Sequence, residues 1–357
     1  MKGEEYFKEL ISGKRHETGD RILITLLRIA SLPYAAFMRM RAFAYRYGIL
    51  PAHRLPRPVI SVGNITMGGT GKTPTVLFLA QTLMERGKRV AVLTRGYGGT
   101  LEGEVRVVSD GSTLLLSPGE AGDEPCLLAS SLPGLIVVMG ADRYQAGTLA
   151  IERYAPDIFI LDDGFQHLRL KRDLNILLLD SADPFANGRV CPAGFLREPN
   201  AAASRADLII FTRCGDKQPA TETIVPGIPY CTSSHTLTGW TPLAGGEARM
   251  FSELSGRRVL AFAGIADPAS FFDALEAKGV PLVATVAFPD HTAYGKVEME
   301  AIGRLKQSKK ADCLITTAKD AVKLSQYCGI LGDCFVARLE LTINDTLPLV
   351  SALEKLL

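Results

Sequence analysis

Residues 63–74 read GNITMGGTGKTP, and no other stretch restricts the fold of this chain so tightly. A loop with glycines at 68, 69 and 71 running into Lys72 and Thr73 makes physical sense only between a strand and a helix. Upstream, RPVISVGN (57–64) is a short apolar run with β-branched residues, which predicts a buried strand. Downstream, TPTVLFLAQTLMERGK (73–88) is apolar at helical spacing and ends beside Gly87, a residue suited to a C-cap. In that setting Thr66, Met67, Gly68, Gly69, Thr70, Gly71, Lys72 and Thr73 form a phosphate cradle. Backbone N–H groups point inward and the helix N-terminus adds partial positive charge. Lys72 is expected to reach the β- and γ-phosphates, and Thr73 to offer its hydroxyl to Mg²⁺. Thr66 stands where the general pattern has its first glycine, which changes the entry to the loop and not the cradle.

A second segment fits the same chemistry. DIFILDDGFQH (157–167) is an apolar strand ending in Asp162 and Asp163. Ligands of open parallel sheets gather at the carboxyl edge of the strands, and an acid there can hold Mg²⁺ or its waters. Two adjacent carboxylates repel unless a cation lies between them. Taken alone, the pair also reads as a solvated strand end.

The chain has 357 residues, enough for two domains with cores of their own; 47% hydrophobic and 22% charged residues suit a globular enzyme. We expect a basic, apolar N-terminal segment over 1–56, a nucleotide-binding lobe over 57–218, a linker region over 219–255 rich in Gly, Pro and Thr, and a second α/β lobe over 256–357. The cleft between the lobes is the expected place for the site. Seven scattered cysteines with no CxxC pair form neither a disulfide framework nor a zinc site, which suits a reducing cytoplasm.

The net charge of +2 says little, but its distribution does: from Arg21 to Met84 there is no acidic residue. The first twenty residues are polar, unlike a signal peptide. The apolar run from Ile22 to Met38 contains Arg28 and Pro33, and is read as too short and too interrupted to span a bilayer. It predicts an amphipathic helix, either lying in a membrane interface or packed on the body of the protein.

The acceptor must come from elsewhere. TRGYGG (94–99) follows an apolar strand; EAGDEPCLLA (120–129) places Asp123 and Glu124 at a helix start, where Asp123 also suits an N-cap. CPAGFLREP (191–199) brings Arg197 and Glu198, and AFPDHTAY (287–294) brings Asp290 and His291. Taken singly these are ordinary loop residues. In their order, SVGNITMGGTGKTP, TRGYGG, GDEP, LDDGFQH, PAGFLREP and FPDH resemble the tetraacyldisaccharide 4'-kinase family of lipid A biosynthesis, over nearly the whole chain.

The resemblance implies two α/β/α sandwich lobes, the first of the P-loop NTPase type, joined by a short β linker and preceded by a membrane-associating helix. It implies phosphorylation by ATP and Mg²⁺ of the 4'-hydroxyl of a lipid disaccharide 1-phosphate, giving lipid IVA and ADP. It places the enzyme at the cytoplasmic face of the inner membrane, peripheral or monotopic, with no nucleic acid and no obligate protein partner. Asp123 and His291 are implied as a catalytic pair acting with Lys72; Thr73, Glu124 and Asp162 or Asp163 as metal ligands; and Arg95, His167, Arg197 and Glu198 as substrate-contacting or active-site positions. A nucleotide-driven protein switch is the competing reading of the loop, and a nucleotide-binding membrane scaffold a third.

Overall fold

The computed structural model describes residues 2–214 and 224–357. In chain order, helices α1 (Lys2–Ile11) and α2 (Thr18–Arg46) precede strand β1 (Val59–Gly63) and helix α3 (Lys72–Glu85). Next come β2 (Val90–Thr94), β3 (Arg106–Asp110), α4 (Asp123–Ser131), β4 (Ile136–Met139), α5 (Arg143–Tyr154), β5 (Ile158–Asp162), β6 (Leu174–Asp180) and β7 (Leu208–Thr212). The rest comprises β8 (Tyr230–Pro242), β9 (Val259–Ala263), α6 (Pro268–Ala277), β10 (Leu282–Ala287), α7 (Lys296–Ser308), β11 (Cys313–Thr316), α8 (Ala318–Leu324), β12 (Cys334–Asn344) and α9 (Leu347–Glu354).

The chain groups into two compact units. The first holds the chain up to Val76, Asp157–Ser234 and Ile343–Leu357; the second holds Leu77–Pro156 and His235–Thr342. The expected lobes are contiguous stretches of chain, and these units are not.

In the first unit β8, β7, β6, β1 and β5 pair in parallel, with β1 between β6 and β5. β1 and β5 are buried along their whole length, which explains their unbroken apolar runs. This neighbouring brings the loop after β1 and the acids after β5 to one carboxyl edge. The junction is tight: a Cβ on Gly63 would lie 2.7 Å from the Phe165 nitrogen, so a side chain there would push the two strand ends apart.

α2 both packs and stays open. Ala35 joins a core with Ile65, Phe165 and Leu196, the Tyr34 hydroxyl donates to the Arg197 carbonyl (2.8 Å), and Arg41 donates to the Gln166 carbonyl (3.0 Å). On another side Ile22, Leu26, Ile29, Leu32, Phe37, Met40 and Phe43 are each more than half exposed. The packed reading holds for one face of the helix, and the other face is exposed. Its 29 residues, continuous through Pro33, are long and apolar enough to cross a membrane by length and composition, which corrects the expectation that the run falls short. Helical residues on either side of Ile22–Met38 supply the extra length.

In the second unit β2 pairs parallel with β4 and β3 antiparallel with β4, while β10, β9, β11 and β12 form a parallel set. Trp240, Phe271, Leu275, Ile315 and Phe335 lie in one of its cores. Residues 230–242 of the expected irregular linker form the single strand β8; residues 219–223 lie outside the described residues. β-Branched Thr232, Thr236, Thr238 and Thr241 favour an extended backbone there, and the Trp240 ring stacks 4.0 Å from that of Phe335. The stretch DCLITTAKD (312–320) reads like one strand but is β11 followed by the first turn of α8.

Candidate active site

The glycine-rich loop enters with its backbone already paired. Thr66 bridges to Leu196, the Met67 nitrogen donates to the Phe195 carbonyl (2.7 Å), and the Arg197 nitrogen donates to the Ile65 carbonyl (2.7 Å). Thr66 is buried, and the Asn64 amide donates to its carbonyl (2.9 Å) and its hydroxyl (3.2 Å). A glycine in its place would leave the Asn64 amide one acceptor fewer. Gly68 (φ 113°) and Gly71 (φ 77°) adopt positive-φ conformations that a side chain would strain. Gly69 and Met67 are exposed, whereas Thr70 is buried.

Lys72, at the start of α3, donates to the Asn64 side-chain carbonyl (3.3 Å) and lies 3.6 Å from Asp163 Oδ1. Arg197 donates to Asp163 Oδ2 at 2.7 Å. Asp163 has a positive φ (51°), a turn that separates its side chain from that of buried Asp162, the last residue of β5. Lys72, Asp162, Asp163 and Arg197 thus belong to one unit, in an arrangement of cations facing a carboxylate.

Glu198 is 1% exposed, and both of its oxygens accept from Arg205 (2.8 and 2.9 Å), whose guanidinium also lies over the Phe165 ring. It therefore holds the Arg197 loop in place. His167 lies in the turn after β5; its backbone nitrogen donates to the Gly164 carbonyl (2.9 Å). Sequence reasoning missed Arg213, which donates to the Gly69 carbonyl and pairs with Asp180 (3.2 Å). It follows β7 at the same carboxyl edge, and that strand's apolar run was the available signal.

The second unit carries the other constellation. Gly122 (φ 93°) occupies the N-cap of α4 and Asp123 is the first helical residue, so Asp123 is not the cap its composition suggests. A Cβ on Gly122 would collide with the Tyr97 carbonyl, and one on Gly99 with the Glu120 carbonyl. Close backbone approach between TRGYGG and GDEP therefore aims Asp123. Arg95, from the same loop, is exposed and pairs with Glu102 (3.2 Å).

Asp123 is 8% exposed. Its Oδ2 lies 3.2 Å from His291 Nδ1 and accepts from Lys323 Nζ at 2.9 Å. Burial opposes its ionisation, but hydrogen bonds from His291 and Lys323 and the charge of Lys323 outweigh that penalty, holding the carboxyl below its ordinary value. A carboxylate kept charged in a largely dry setting, with a histidine against one oxygen, can accept a proton on the other. His291 itself has φ 60°, and the Tyr97 ring lies edge-on to its imidazole, 6.1 Å away.

Among the described residues no three His, Cys, Asp or Glu side chains gather into a metal cage. Mg²⁺ is usually held by one or two carboxylates with phosphates and waters, so the Thr73 hydroxyl and the carboxylates ending β5 are a donor set that fits it. All seven cysteines are free, and burial pushes the Cys126 thiol up to about 12, which makes it chemically inert.

The sequence profile of the tetraacyldisaccharide-1-P 4'-kinase family, LpxK, matches residues 23–357. The tetraacyldisaccharide 4'-kinase of Pelobacter propionicus is 54% identical over 356 residues, covering 99% of this chain and 98% of that protein. That of Geobacter metallireducens is 54% identical over 339 residues, covering 95% and 99%. Among solved structures, the crystal structure of LpxK from Aquifex aeolicus in complex with ATP matches with a TM-score of 0.79 at 34% identity, over 94% of this chain and 99% of that one.

Proposed function

The chain belongs to the tetraacyldisaccharide-1-P 4'-kinase family, and from that premise we propose how its residues carry out the transfer. It is a lipid kinase that moves the γ-phosphoryl group of ATP to the 4'-hydroxyl of a tetraacyl glucosamine disaccharide 1-phosphate. The observation that carries the mechanistic reading is the Asp123 carboxylate, tied at one oxygen by His291 and Lys323.

A sugar alcohol is a weak nucleophile at neutral pH. Asp123 Oδ1 would take its proton as the new O–P bond forms and the bond between the γ-phosphorus and its bridging oxygen breaks, leaving ADP. General-base help of this kind is worth about 10²- to 10⁴-fold. Lys72 exchanges its contacts with Asn64 and Asp163 for the β- and γ-phosphates, and the loop amides from residue 66 to 73 hold the triphosphate. When bound, Mg²⁺ supplies neutralisation of phosphate charge; Thr73, Asp162 or Asp163 and Glu124 are the proposed oxygen donors. Arg197 and Arg95 are the proposed partners of the anionic substrate, since a guanidinium suits phosphate recognition, with His167 as a further contact. Glu198 positions Arg197 through Arg205.

The exposed apolar stripe of α2, with Arg21, Arg28, Arg39 and Arg46 along the helix, supports seating at an anionic membrane surface on the cytoplasmic side, where a lipid acceptor is presented. The purified protein, incubated with γ-labelled ATP in detergent, tests the reading. Label entering tetraacyldisaccharide 1-phosphate only when lipid and Mg²⁺ are both present supports it. Free labelled phosphate released equally without lipid would instead identify a nucleotide-driven switch.

A further inference from the structure

The proposed Asp123 base does not stand on His291 alone; one short helix sends two cations to the pair. α8 begins at an N-cap, Thr317, whose hydroxyl donates to Asp320 Oδ2 (2.7 Å) and accepts from the Asp320 nitrogen (3.2 Å). Asp320 is fully buried and also accepts from the Gly264 nitrogen (3.1 Å), which pins the first turn of α8 to the end of β9. On a helix fixed in this way Lys319 and Lys323, four residues apart, share one face.

Lys323 is 8% exposed, its ammonium 2.9 Å from Asp123 Oδ2 and 5.4 Å from the centre of the Tyr294 ring. Lys319 donates to Asp290 Oδ1 (2.9 Å) and lies 3.3 Å from His291 Nε2. An ammonium has three N–H donors and no lone pair, so across that contact Nε2 must be the acceptor. A neutral imidazole accepting at Nε2 carries its hydrogen on Nδ1, the nitrogen that faces Asp123 Oδ2.

We propose that α8 is a positioning helix for the transfer: Lys319 selects the Nδ1–H tautomer of His291, and Lys323 with that N–H occupies Asp123 Oδ2, reserving Oδ1 for the acceptor hydroxyl. In this arrangement both lysines act through the Asp123–His291 pair. This rests on the reading of Asp123 as the base, and it adds which oxygen acts and what sets its orientation. Without Lys319 the imidazole is free to place its hydrogen on Nε2, which turns a lone pair toward the carboxylate and removes one of the two donors holding it. Without Lys323 the carboxylate loses the other, and it can rotate out of line.

Nitrogen-15 NMR of the full chain labelled at histidine tests the tautomer directly, with the His291 signals identified by their loss in a His291→Gln variant. The wild type is expected to show His291 as the neutral Nδ1–H form. Lys319→Met should shift it towards Nε2–H and lower kcat by about 10- to 100-fold, less than the full 10²- to 10⁴-fold that general-base help supplies because the carboxylate itself remains, with the KM for ATP unchanged. Lys319→Arg should restore both the tautomer and most of the rate. Lys323→Arg should retain more activity than Lys323→Met at the same tautomer. A wild-type His291 protonated at Nε2, or a Lys319→Met protein with unaltered tautomer and rate, would overturn the proposal. An active Asp123→Ala variant would instead sink the base assignment while leaving the tautomer result standing.

Discussion

Oδ2 of Asp123 lies 3.2 Å from Nδ1 of His291, although 168 residues of chain separate them. Both belong to the same compact unit, the carboxylate entering on the first turn of α4 and the imidazole on the loop after β10. The contact depends on two backbone turns that ordinary residues rarely adopt, the left-handed conformations of Gly122 and His291.

Gly122 is the more exacting of the two. Its φ of 93° disfavours any side chain, and an added Cβ would meet the Tyr97 carbonyl, which is backbone and cannot swing aside. Gly122→Ala should destabilise the fold by about 2 kcal/mol or more, read from the denaturant midpoint, and should lower kcat as Asp123 is displaced. An alanine variant with wild-type midpoint and rate would show that the close approach to Tyr97 does not aim the base.

The Glu198–Arg205 clamp predicts a different pattern. Removing the guanidinium leaves a carboxylate that is 1% exposed without its partner, so Arg205→Met should cost about 3 kcal/mol of stability. The double variant Arg205→Met/Glu198→Gln should recover part of that loss, because no buried charge then stands alone. Equal stability of single and double variants, measured in urea, would argue against a clamp.

The open stripe of α2 makes a prediction about location. Ile29→Glu/Leu32→Glu places charge at two positions that are 60% and 66% exposed, so folding should be little affected. Binding to vesicles containing anionic lipid should fall at least about tenfold, since each large apolar side chain contributes about 1.5–3 kcal/mol when buried. Unchanged cosedimentation with such vesicles would remove the stripe from the membrane contact.

Legibility of this protein in its sequence followed the range of the forces involved. The loop at 63–74 and the acids at 162–163 were readable because strand, turn and helix signals sit side by side, and the parallel pairing of β1 with β5 then places them at one edge. The pairing of Asp123 with His291 could not be read from spacing, and the resemblance alone suggested it. Lys319 and Lys323 went unnoticed because TTAKD looks like the end of an apolar strand. The cap formed by Thr317 and Asp320, three residues apart, was the local signal that a helix begins there. The clamp on Glu198 was not legible because sequence cannot show that Arg205, seven residues on, folds back to hold it.

The most direct test of the account pairs two numbers for Asp123→Ala: the turnover rate with lipid disaccharide 1-phosphate and the dissociation constant for ATP. The account predicts a loss in kcat of about 10²- to 10⁴-fold with nucleotide affinity within a few-fold of wild type, because the glycine-rich loop and Lys72 remain whole. A purified, folded variant that turned over near the wild-type rate would contradict it.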